Sequence, residues 1–173
     1  MDKALDIAVA EGWNGVTIRK IADAVEYTPP IVYEYFKDKE DLLNELSLWG
    51  HRMLYNSYDR SIQSETDDKK SLLLISEAHW DFAFQNKELY QLMFRFGKPL
   101  LNEEIEKIIE RNKDLFFVLT DDEELSEELM FNWLCLLHGI IFFVMQMEFP
   151  PELAKKYPKD LYIKAVKRFL KGI

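Results

Sequence analysis

Two helix signals laid almost end to end within Thr17–Phe36, TIRKIADAVEYTPPIVYEYF, constrain the fold of this chain more than any other stretch. Thr17 is of the type whose hydroxyl caps a helix start by accepting from an orphan backbone N–H. Ile18, Ile21, Ala22 and Val25 then recur at i, i+3, i+4 and i+7, which predicts one buried stripe on a helix of about eight residues. A second start follows at once, because Thr28 is a cap residue and Pro29 suits the first helical position, where no backbone donor is needed. A gap of roughly three residues between the two helices is that of a helix-turn-helix. Turning the second helix at about 100° per residue puts Val32, Tyr35 and Phe36 on a packing side and Pro30, Tyr33 and Glu34 on the other, with Pro29 near the edge.

The second helix of such a unit commonly lies in the DNA major groove. Two tyrosines and a phenylalanine are more than a plain surface turn of this size needs, and a tyrosine hydroxyl is a good phosphate partner while its ring packs beneath. The bland alternative is a pair of small core helices. From Ala4 to Leu43 the chain resembles the DNA-binding domain of the TetR family of transcriptional regulators. The resemblance runs through ALDIAVAEG, GVTIRKIADAV and VYEYF and ends in KDKEDLL, which is similar to the phosphate-contacting Ser-Lys-Glu segment opening the family's fourth helix. It implies DNA contacts from Thr17, Arg19, Lys20, Thr28, Pro29, Pro30, Tyr33, Glu34, Tyr35 and Lys39.

Glu26 stands where the family usually has glycine, so a position wanting positive φ is expected to be strained. Pro29 and Pro30 replace a polar residue and a glycine, removing backbone donors for phosphate; their rings can instead rest on a thymine methyl. Glu34 is a candidate acceptor from a cytosine amino group, with plain solvation as its alternative. The family usually carries a basic arm before the first helix, and this sequence starts at or just inside that helix, so the arm is expected to be absent or lost.

Charge argues against tight DNA binding. Residues 1–46 hold five Lys/Arg (Lys3, Arg19, Lys20, Lys37, Lys39) and ten Asp/Glu, a net −5 within a chain total of −9. Phosphate neutralisation normally dominates affinity, so weak, salt-sensitive binding is expected. Arg19, Lys20, Lys37 and Lys39 nevertheless flank the proposed recognition helix. The six glycines and six prolines fall between periodic segments, and 48% hydrophobic content suffices for a sizeable core. The expected fold is therefore all-α, with a three-helix helix-turn-helix domain over residues 1–46 and a helical effector-binding and dimerisation domain over 47–173. Cys135, the single cysteine, and the lack of a signal peptide predict a reducing cytoplasm.

In chain order, Lys3–Glu11 reads as a helix with Ala4, Leu5, Ala8 and Val9 inward, stopped by Gly12. Asp38 opens a long helix to about Gln63, with Asp41 completing a capping-box variant and Leu42, Leu46, Trp49 and Met53 in one stripe. His51 on that helix is expected at the surface or boundary. Ser64–Lys70 reads as a loop. Helices follow over Ser71–Gln85, over Glu88–Phe96 up to Gly97 and Pro99, and over Pro99 to about Leu119 with Ile105, Ile108, Ile109, Phe116 and Phe117 inward. The next, Glu123–Met147, ends at Pro150 and Pro151. The last, about Pro158 to Lys171, has Leu161, Ala165, Val166, Phe169 and Leu170 on one side.

The stretch MFNWLCLLHGIIFFVM, Met130–Met145, is long enough to raise a membrane span. Asn132, His138 and Gly139 interrupt it and no flanking Lys or Arg sets an orientation, so burial and no membrane is the expectation. Trp133 with His138-Gly139 loosely resembles the Trp…His-Gly element of one C-terminal subclass. The resemblance implies a homodimer through the last two helices, a palindromic operator in double-stranded DNA, and release by a small lipophilic effector that shifts the populations of two states. Trp80, Phe84, Tyr90, Met93, Phe94, Phe116, Trp133 and His138 are the candidate pocket lining, with His79 or His138 as the orienting polar group and a filled core as the alternative. His51, His79, His138 and Cys135 lack metal-ligand spacing, no nucleophile or phosphate-loop motif is present, and Glu103-Glu104 reads as solvated helix face, so neither enzyme nor cofactor is expected. A helical docking module whose helix-turn-helix has drifted from DNA is the rival reading. Effector, operator sequence, regulated genes and the sign of regulation are not written in the residues.

Overall fold

The computed structural model describes residues 1–94, 103–147 and 157–173. These form helices α1 (Asp2–Gly15), α2 (Ile18–Ala24), α3 (Pro29–Tyr35), α4 (Lys39–Ile62), α5 (Asp68–Gln85), α6 (Lys87–Met93), α7 (Glu103–Thr120), α8 (Glu123–Gln146) and α9 (Tyr157–Lys171). No strand occurs among the described residues, so the all-α expectation holds. The helix boundaries expected at Gly97, Pro99, Pro150 and Pro151, the residue Phe96 and the side chains of Glu103-Glu104 lie outside the described residues.

The chain divides into two units, residues 1–53 with 86–101 and residues 54–85 with 102–173. In the first, Ala4, Ala8, Val16, Ile18, Ile21, Ala22, Val32, Leu42, Leu43, Leu46 and Leu92 form one core. Burial of such side chains at about 25 cal/mol per Å² holds the short helices α2 and α3, which are too short to be stable alone. The last of these core residues arrives from α6, far along the sequence. Trp13 Nε1 donates to the Glu88 carbonyl at 3.0 Å and ties α1 to α6. Gly50 of α4 lies so close to α6 that a Cβ there would fall 2.5 Å from Met93 Sδ. Gly12 takes φ 72°, ψ 169° and breaks α1, as its glycine predicted, before one more turn ending at Gly15.

The start of α4 carries the expected cap. Asp38 Oδ1 accepts from the Asp41 backbone N–H at 2.9 Å, and Asp41 Oδ2 accepts from the Lys37 N–H at 2.9 Å. The second bond falls one residue earlier than in the usual capping box. At 24 residues α4 is about 36 Å long.

In the second unit α5, α7, α8 and α9 pack on one another. Along α9 the buried side chains are Pro158, Tyr162, Val166 and Leu170, a strict i, i+4 series. Along α8 they are Ser126, Trp133, Leu137 and Ile141. Ser76 of α5 joins three helices: its Oγ accepts from Trp133 Nε1 at 3.0 Å and donates to the Leu72 carbonyl at 2.7 Å, while its own carbonyl accepts from Tyr162 OH at 2.8 Å.

Several inward assignments are corrected. Val9, Ile109, Phe117 and Leu161 are exposed, because Ala8, Ile108, Phe116 and Tyr162 one residue away take the core direction and each buried stripe is narrower than the apolar arc. Val25 is exposed because it is the residue that ends α2, with φ −106°, ψ 8°. His51 is buried rather than at the surface, its Nδ1 2.8 Å from the Ser47 carbonyl. α5 starts three residues before Ser71, because Asp67 caps it through its Oδ1 and the Lys70 N–H, 2.7 Å apart.

Candidate functional site

Thr17 caps α2 as expected, its Oγ1 accepting from the Lys20 N–H at 3.2 Å. At the other end the Tyr27 N–H reaches the Ala22 carbonyl at 2.9 Å and the Glu26 N–H the Asp23 carbonyl at 3.3 Å, the pattern of a Schellman motif. That motif needs a left-handed residue, and Glu26 supplies it with φ 59°. The strain foreseen for a non-glycine residue is present.

Thr28 stands at the N-cap of α3 with φ −91°, ψ 150°, but its hydroxyl makes no capping bond, contrary to expectation. Pro29 and Pro30 have no N–H to offer, and the first available donor, Ile31 N–H, goes to the Thr28 carbonyl at 3.0 Å. One side chain, Val32, seals α3 against the core. Pro30, Tyr33 and Glu34 are exposed on the free side, Tyr33 by 55%. Tyr35 was expected to pack and instead is 75% exposed. The backbone turns extended at Phe36, φ −134°, ψ 121°, and Phe36 rather than Tyr35 packs against the core.

The cations differ in what they touch. Lys20 Nζ is ion-paired with Glu11, and Lys39 Nζ donates to the Trp13 carbonyl at 2.8 Å, pinning the start of α4 to the end of α1. Arg19 and Lys37 are exposed, and neither side chain forms an ion pair among the described residues. The ten residues proposed for DNA contact thus lie on α2, α3, the turn between them and the first turn of α4. Tyr27 and Ile31, exposed apolar residues on the same stretch, were missed; an aromatic in the turn was the available signal.

Residues 1–46 match the family model described as bacterial regulatory proteins, tetR family. Over that segment the chain is similar to the TetR family. A curated relative is the uncharacterised HTH-type transcriptional regulator YobS of Bacillus subtilis (strain 168), 28% identical over 91 residues; the match spans 53% of the chain and 47% of that relative's length. The fold also resembles two solved structures. A protein of unknown function from Rhodococcus sp. RHA1 has TM-score 0.82 at 16% identity, over 99% of the chain and 92% of that protein. A protein described as a possible TetR family transcriptional regulator from Streptomyces coelicolor A3(2) has TM-score 0.76 at 12% identity, over 99% and 95%.

The candidate pocket residues fall in both units. Tyr90, Met93 and Phe94 are in the first, with the rings of Tyr90 and Phe94 4.8 Å apart. In the second, Trp80 stacks on Phe84 at 4.3 Å and Phe116 meets Trp133 edge-on at 5.7 Å, with Phe116 and Trp133 fully buried. His138 lies edge-on to His79 at 4.9 Å, and Tyr58 OH is hydrogen-bonded to His79 Nδ1. Burial first, and then the charge of His138, hold the His79 imidazole well below its ordinary value. Burial likewise raises the Tyr58 phenol. Tyr58 and His79 thus form a buried hydrogen-bonded pair inside an apolar bundle, with the half-buried ring of His138 against His79. His138 was in the expected lining and His79 was its alternative as the orienting polar group; Tyr58 was not foreseen.

Proposed function

We propose that this chain is a dimeric DNA-binding transcriptional repressor, released from a palindromic operator by a small lipophilic effector, working in the cytoplasm. The observation that carries the DNA reading is the bare outer side of α3, where Pro30, Tyr33, Glu34 and Tyr35 face away from a core reached by Val32. The proposed division of labour is residues 1–46 for DNA and residues 47–173 for effector and dimer. Thr17, Arg19, Lys20, Thr28, Pro29, Pro30, Tyr33, Glu34, Tyr35 and Lys39 are the proposed contacts, with Lys37 added from its exposure.

The dimer proposal rests on α8. It is long and apolar enough to cross a membrane by length and composition, and 22% of its apolar window is buried within the chain. Opposite Trp133, Leu137 and Ile141 it exposes Phe131, Cys135, Gly139 and Phe143 at i, i+4 spacing, with Leu161 exposed on α9. A second copy laid on this face by a two-fold axis would cover it. The effector is proposed to enter the bundle of the second unit beside Trp80, Phe84, Phe116, Trp133 and His138, where Tyr58 and His79 can orient one polar group.

The mechanism proposed is a population shift, in which effector and DNA favour different arrangements and each weakens the other equally. An anisotropy titration with promoter fragments flanking the coding region tests it. Binding at low salt, lost steeply as salt rises, supports the reading; no binding to any such fragment at low salt removes the DNA claim and leaves the docking-module alternative.

A further inference from the structure

Against a chain of net charge −9, one groove in the second unit is basic. It has a volume of about 320 Å³ and lies between the start of α5 and the end of α9, lined by Asp67, Lys69, Lys70, Leu73, Lys167, Leu170 and Lys171. Leu73 and the buried Leu170 form an apolar floor, and lysine stems can lie along it while their ammonium groups reach the rim. Asp67 uses one carboxylate oxygen to cap α5, and Lys70 is ion-paired with Glu65 at 2.5 Å. The Lys70 hydrogen bond first, then the N–H groups of Asp67 and Thr66, hold the Glu65 carboxyl down to about 2, so that pair stays charged at neutral pH.

Lys69, Lys167 and Lys171 form no ion pair among the described residues. Four lysines less Asp67 and Glu65 leave a net +2 around the groove. A phosphate monoester carries about −1.5 to −2 at neutral pH and offers three strong acceptor oxygens, whereas a carboxylate offers one charge and two oxygens.

We propose that this groove is a second ligand site, separate from the effector site above, that takes a free phosphate monoester bearing an apolar group: the phosphate held by Lys69, Lys167 and Lys171, the apolar body on Leu73 and Leu170. The proposal stands or falls independently of DNA binding.

Titration calorimetry of the full chain with hexyl phosphate at low salt tests it, with inorganic phosphate and 1-hexanol as the two half-ligands. Saturable binding of hexyl phosphate is expected, at least about tenfold tighter than either half. The double variant Lys167→Gln/Lys171→Gln should weaken it by about tenfold or more with an unchanged circular dichroism melt, and Lys69→Gln should weaken it less. Lys107→Gln, an exposed lysine on α7, is the control and should bind as the parent does. The proposal is overturned if hexyl phosphate does not bind at millimolar concentration, if inorganic phosphate binds equally well, or if the double variant binds undiminished. If the double variant fails to fold, Lys69→Gln combined with Leu73→Ser decides in its place by the same criteria.

Discussion

Glu26 is the residue at which this chain departs most visibly from ease. Its left-handed backbone, φ 59°, is imposed by the two hydrogen bonds that close α2, and such a conformation costs a side-chain-bearing residue about 1–2 kcal/mol. Glycine relieves that strain but is looser in the unfolded chain, so Glu26→Gly should stabilise by about 0.5–1 kcal/mol in urea unfolding. It should also strengthen DNA binding by removing an acid next to α3. Tyr33→Ala and Tyr35→Ala touch no core and should leave the melt unchanged while weakening operator binding by about tenfold each, read by anisotropy. The histidines act in the opposite place. His79 and His51 are both held below their ordinary values by burial, so below a pH of about 6.5 the unfolded chain binds protons that the folded chain refuses. Their contribution is present above that pH and is lost as pH falls, at a limiting slope of about 1.4 kcal/mol per pH unit for each. A denaturation series from pH 7.5 to 5 should show this decline, and His79→Gln should flatten it.

At the scale of the element, start and stop signals were the most legible part of the sequence. Thr17, Gly12 and the Asp38–Asp41 pair act as their side-chain chemistry predicts, since a cap is decided by neighbours within four residues. What could not be read was which arc of each apolar helix turns inward. Phe116 and Phe117 are equally apolar, and only the packed bundle selects the first. Thr28 failed as a cap for a local reason that was visible in principle: the two prolines after it have no N–H. The exposed side of α3 was legible except at Tyr35, while the contact of Tyr58 with His79 was not foreseen because the two meet across helices. Ser76 shows how three helices depend on one small side chain. Ser76→Ala leaves the buried Trp133 N–H without an acceptor and should cost about 1–3 kcal/mol in chemical denaturation.

At the scale of the whole molecule, the proposed dimer rests on the exposed side of α8. Phe143 is 65% exposed and sits in line with Phe131, Cys135 and Gly139. Phe143→Asp should convert the proposed dimer to a monomer in light scattering, whereas Val9→Asp, at a still more exposed position on α1, should not. Loss of the dimer should also abolish operator binding, because one half-site alone supplies too few phosphate contacts. The first unit carries its own consequence. Its core is completed by Leu92, its α1 is tethered to Glu88, and Gly50 makes room for Met93, all of which the chain delivers only after an excursion through Leu54–Gln85. A fragment stopping at Met53 would be a bowl without its lid, greasy on the open side and prone to clump; anyone wanting a free-standing reading head would have to graft residues 86–94 back on by a short artificial tether.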